Sequence, residues 1–268
     1  MEKLHIKTKS VVSNVIVEEN VTYGDGITFT NVKFRTQVVS KVTLKGHIDG
    51  TRFKETYTRV ESVTIRANSH FANLDIGDDV VFEDGVTLGE NVSFSVHQRY
   101  LETHRLVALP NLNPLAAIDK QGRKISNWAR LQGGARFGAN AKGYQKKITF
   151  KRSKQKNVDI LGNVLTDVRH IGQQADILVV AAHTPPGTSL SSFYMLDNQG
   201  TPLLWDMDMS LLVPFRADIT LAPVVPVPIW NNPLDIFGNV QVYFGYRLIE
   251  SGKIVHSLED VIGMTFTE

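Results

Sequence analysis

Between Lys120 and Lys156 the chain carries twelve lysines and arginines and not one aspartate or glutamate. Such a run attracts polyanions through non-specific electrostatics that weaken steeply with salt. Arg123, Lys124, Lys146, Lys147, Lys151 and Arg152 are the expected contacts. Trp128, Phe137 and Tyr144 stand among them and allow stacking but form no nucleic-acid motif, which points to acidic polysaccharide rather than a specific nucleic acid. The competing reading is a solvated connector whose charge pairs with an acidic stretch of the same chain: Asp75, Asp78, Asp79, Glu83, Asp84 and Glu90. Those carboxylates could themselves meet around calcium, but none of their spacings forms a calcium loop, so a solvated face is expected and no metal. Trp205, Trp230 and Tyr243 could stack on sugar rings, or fill a core as tryptophans in β-sandwiches often do.

Other chemistries are excluded. The chain has no cysteine, hence no disulfide, thiolate metal site or cysteine nucleophile. It has no G-x-S-x-G elbow and neither glycine-rich nucleotide motif, so no cofactor is expected. No apolar stretch is long enough to cross a membrane as a helix. The N-terminal MEKLHIKTKS has basic residues without the apolar run of a signal peptide, so any export signal is expected upstream of this chain.

The elements that must hold these residues fall into two kinds. Ile76, Phe82, Leu88 and Phe94 recur every six residues, with Val80, Val86 and Val92 four residues after the first three. The same step runs through Val11, Val17, Tyr23 and Phe29, with Val15, Val21 and Ile27. A period of six suits neither an α-helix nor a hairpin ribbon. It predicts a parallel β-helix over residues 11–100, with Gly77, Gly85 and Gly89 at corners and Arg35 to Tyr57 as an inserted loop or irregular coil. In each block one step shortens to five, from Phe29 to Phe34 and from Phe71 to Ile76.

Residues 101–146, with Pro110, Pro114 and many Asn and Gly, read as an irregular basic connector. Residues 147–268 read as an antiparallel β-sandwich, because short strands are separated by turn signals. The expected strands begin at Lys147 and cover Ile177 to Ala182, Ser192 to Leu196, Leu203 to Trp205, Ala217 to Leu221 and Val240 to Leu248. The fold class is therefore all-β.

Two resemblances extend this reading. The six-residue pattern resembles hexapeptide-type β-helix repeats, some of which are acyltransferases with a histidine as general base; that resemblance singles out His70 and His97. A three-histidine zinc site on the same fold would need His97 and His104 to converge with a third, and they are seven residues apart. The segments DILVVAAHTPPG, FYMLDNQG, PLLWD, VYFGYRL and GKIV resemble a β-rich module near the C-termini of large secreted or surface proteins of gammaproteobacteria. That module has no assigned chemistry and implies location and architecture. The expectation is a non-enzymatic structural or adhesive segment of a bacterial cell-surface or secreted protein, with acidic polysaccharide, another surface polyanion or further copies of itself as partners. The alternative is a hexapeptide-repeat acyltransferase with an accessory sandwich.

Overall fold

The computed structural model describes residues 5–19, 21–24, 26–113, 115–138, 143–151, 157–257 and 260–267. The chain divides into two compact units, Met1–Glu102 and Thr103–Glu268.

The first unit is a parallel β-solenoid of about five turns. Val12, Phe29, Leu44, Ile65 and Phe82 lie in register on successive coils along one wall. Ile48, Phe71 and Leu88 form a second column, and Val39, Val60 and Ile76 a third. Val11 pairs with Thr28, Thr64 with Val81 and His70 with Thr87, so the first and last coils are 17 residues long at these positions (28 − 11, 81 − 64, 87 − 70), whereas Thr28 and Thr43 pair 15 apart (43 − 28). A coil of 17 is one short of three six-residue steps, and the five-residue steps in the sequence supply the difference.

The corners are left-handed. Asn14, Asn31, Gly46, Asn68 and Gly85 have positive φ at one corner of successive coils, and Lys9, Gly26, Lys41, Ser62 and Asp79 do so at another. Asparagine, aspartate and glycine tolerate this region best. Gly77 and Gly89 are not among the positive-φ residues; they allow close approach. A β-carbon on Gly89 would lie 2.7 Å from His70 Nε2, and one on Gly77 would lie 3.0 Å from the Val60 carbonyl oxygen.

Two expectations are corrected. Val11 is 71% exposed, and its neighbour Val12 shares the register of Phe29. The stretch Arg35 to Tyr57 is regular for most of its length: Val38–Ser40 and Thr43–Asp49 both join the ladders. Only a small hairpin, with Arg52 opposite Tyr57, leaves the coil. It lengthens that coil, so His47 pairs with His70, 23 positions on (70 − 47). Helix Ser95–Thr103 follows the final coil.

The second unit has two sheets sharing one apolar core. The four-stranded sheet has the order Asn111–Leu112, Arg130–Phe137, Val158–Leu165, Val224–Asn232. The nine-stranded sheet centres on Gln174–Thr184 against Gly238–Leu248, extends through Ser192–Leu196 to the edge strand Pro202–Trp205, and closes on its other side with Ile254–Ser257, Leu115–Ile118 and Ile262–Thr267. Lys147–Lys151 joins Ile262–Thr267 in parallel, the one parallel pair described in this unit. The stretch read as an irregular connector therefore supplies strands to both sheets, and Arg130–Phe137 pairs along its whole length with Val158–Leu165.

Three long strands of the smaller sheet carry residues that argue locally against a strand. Pro226 and Pro228 are tolerated because Val224–Asn232 is an edge and needs no ladder donor on its open side. Gly162 allows a close approach between the sheets: a β-carbon there would lie 2.6 Å from the Phe244 ring. Gly133 likewise faces Ile262 and Leu112.

Candidate functional site

The basic residues are sorted by acidic partners that lie outside the basic run. Arg123 Nε donates to Asp119 at 2.7 Å, Arg136 Nε to Asp159 at 2.8 Å and Lys146 Nζ to Asp260 at 2.6 Å. Lys146 and the other donors around Asp260 hold that carboxyl below its usual range. Arg136 also lies over the Tyr144 ring, while the Tyr144 hydroxyl donates to Asp159 at 2.7 Å; burial and that carboxylate push the phenol up to about 12. Lys124, Lys147 and Lys151 make no ion pair among the described residues. Arg152 lies outside the described residues. Lys147, Thr149 and Lys151 alternate outward on a strand whose inward residue Phe150 is buried.

The acidic stretch does not gather around one point. Asp75 is buried and accepts from Arg59 Nε, Ser93 Oγ and the Ser95 amide. Asp78 pairs with Arg99 and Glu83 with Arg66, whereas Asp79 occupies a left-handed corner. Among the described residues, no group of three or more His, Cys, Asp or Glu side chains is placed to hold a metal.

The repeat histidines are built into the solenoid unit. His70 stacks on His47 of the preceding coil with ring centroids 5.4 Å apart, its Nδ1 lies 3.0 Å from Thr87 Oγ1, and its Nε2 sits over Gly89. His97 is buried in helix Ser95–Thr103 beside Phe94. His104 falls in the turn after that helix.

Two of the three candidate stacking residues come together. Trp205 and Tyr243 line one cleft of about 450 Å³ on the outer face of the nine-stranded sheet, opposite the shared core. Leu178, Val180 and Ile254 also line it, and residues 205–213 cross over it as a strap. Trp230 lines a separate cavity of about 250 Å³ with Ile160, Val242 and Met264, on the core side of that sheet.

A polar cluster in the sandwich gave no signal beyond isolated residues. Asp167 is fully buried and accepts from the Trp128 amide at 2.8 Å and from Arg169 Nε at 2.9 Å, and Arg169 stacks 3.9 Å above the Trp128 ring. His170 Nδ1 lies 2.8 Å from the hydroxyl of Tyr246, which is also fully buried. Burial raises the Asp167 carboxyl, but hydrogen bonds and charge from Arg169 outweigh it, so its pKa lies below the usual value. Burial pushes the Tyr246 phenol up, with the Asp167 carboxylate adding to the rise, and burial holds His170 below the ordinary imidazole value.

The His170 shift predicts a pH dependence. A neutral buried imidazole means that the unfolded chain binds more protons at mildly acidic pH, so stability is full above the unfolded value near 6.5 and falls as pH drops below it. Urea midpoints measured from pH 7.5 to 5.5 should decline, and His170→Gln should flatten the slope. An equal slope in the variant would assign the effect to other groups.

No protein family, curated protein or solved structure matches this chain.

Proposed function

We propose that this chain is a non-enzymatic structural and adhesive segment of a bacterial cell-surface or secreted protein. In this reading the solenoid serves as a stiff spacer and the sandwich holds acidic polysaccharide along the strand Lys147–Lys151. The observation that supports it is the pair Lys147 and Lys151, projecting to the same side with no ion pair at contact distance among the described residues, although Lys147 is near enough to Asp260 to help lower its pKa. At about 3.3 Å per residue the two ammonium groups rise from points about 13 Å apart, a spacing suited to successive charges of an extended polymer. Arg123, Arg136 and Lys146 contribute less, because each is already balanced by an aspartate. A lysine-bearing edge strand also discourages edge-to-edge aggregation, so binding must be measured directly.

Heparin chromatography supplies the test. The protein should elute later than its net charge of +2 implies, and Lys147→Gln with Lys151→Gln should lower the eluting salt, with the salt dependence reduced by about one charge per lysine removed. Unchanged elution in the double variant would remove the lysine edge as a polyanion site.

A further inference from the structure

The strap over the outer cleft is anchored at both ends. Trp205 Nε1 donates to the Asp208 carbonyl at 2.8 Å, and Asp208 caps the short 3-10 turn Met209–Leu211 by accepting from the Ser210 amide at 2.8 Å. Beyond the turn, Arg247 Nη1 donates to the Leu212 carbonyl while its other donors hold Asp176. Between these anchors Met207 has φ +71, a left-handed conformation that is costly for an unbranched side chain and persists only where its surroundings impose it. The cleft is thus framed by a fixed segment, as preformed ligand sites are.

Its polar groups are few, and most already make one hydrogen bond within the protein. Trp205 Nε1 is engaged, the Tyr243 hydroxyl donates to Gln241 at 3.0 Å, and Ser257 Oγ accepts from the Phe244 amide. His256 has a second polar atom. Its Nδ1 lies 2.7 Å from the Ser257 carbonyl oxygen, which only accepts, so Nδ1 carries a proton and, in the neutral ring, Nε2 is the acceptor. A sugar would bring many hydroxyls to a wall dominated by leucine, isoleucine, valine and methionine with few polar partners, and an unpaired buried hydroxyl is costly.

We propose that this cleft binds a small, largely apolar molecule, aromatic or aliphatic, whose single hydroxyl donates to His256 Nε2 while its body packs between Trp205 and Tyr243. The site is independent of the lysine edge, and heparin should not compete with its ligand.

The probes are 2-naphthol and naphthalene, titrated against the full chain by calorimetry or NMR. We expect 2-naphthol to bind roughly ten-fold more tightly, the size of one good hydrogen bond, and His256→Phe to abolish that preference. Val180→Phe, which fills the cleft, should remove binding of both. Trp205→Ala, at the rim, should weaken both and serves where Val180→Phe does not fold. Binding unaffected by the cleft substitutions in folded variants, no binding of either probe, or capture of only an extended apolar peptide would each overturn the proposal.

Discussion

Phe71→Ala is expected to lower the unfolding free energy of the solenoid by about 3–5 kcal/mol, the range for deleting a buried phenylalanine ring. Phe71 is fully buried, in register between Ile48 of the preceding coil and Leu88 of the next. Removing the ring strips contacts from both coils, and a solenoid has only nearest-neighbour coils to compensate. Phe82→Ala should cost clearly less, because Phe82, in register with Ile65 of the preceding coil, is only half-buried. All three tryptophans, Trp128, Trp205 and Trp230, lie in the second unit. Hydrogen exchange of residues 38–76 is therefore the direct measurement, with tryptophan fluorescence as the control for the sandwich. Equal losses at Phe71 and Phe82 would show that the columns do not carry the stability assigned to them.

Asp167→Ala is expected to destabilise the sandwich by about 3–5 kcal/mol, the cost of removing one partner from a buried ion pair. The substitution strands the Arg169 guanidinium, removes the acceptor for the Trp128 amide and uncaps the turn Val168–His170. Because Trp128 lies directly under Arg169, its fluorescence reports the loss as well as the unfolding transition. The pH dependence has a defined sign. Asp167 has a depressed folded-state pKa, so its contribution is complete above the ordinary carboxylate value and is lost as pH falls below about 3.8. Acid unfolding of the wild type should therefore steepen in that window and that of Asp167→Ala should not. A variant that melts within about 1 kcal/mol of wild type would mean that solvent replaces the pair at little cost.

How much of this was legible in the sequence follows from the range over which each signal acts. The solenoid register could be read directly, since Ile76, Phe82, Leu88 and Phe94 each face the interior of their own coil and Asn or Gly marks many of the corners. The nine-stranded sheet could be read for a similar reason: Gly238–Leu248 and Lys147–Lys151 alternate inward and outward residues along their own lengths. The four-stranded sheet could not. Pro226, Pro228, Gly133 and Gly162 all argue for turns, and only an open edge and a close approach between sheets make them acceptable in strands. In the sequence the basic run is weighed against the acidic stretch Asp75 to Glu90, and its partners Asp159 and Asp260 do not stand out because they lie 23 and 114 residues from Arg136 and Lys146. Trp205 and Tyr243 were visible as residue types, but their shared cleft depends on a strap anchored through Arg247. The link between His170 and Tyr246 spans 76 residues. Periodicity belongs to neighbouring residues and survives in one dimension, whereas charge pairing, edges and cavities arise from residues distant in sequence and exist only once the sheets have packed.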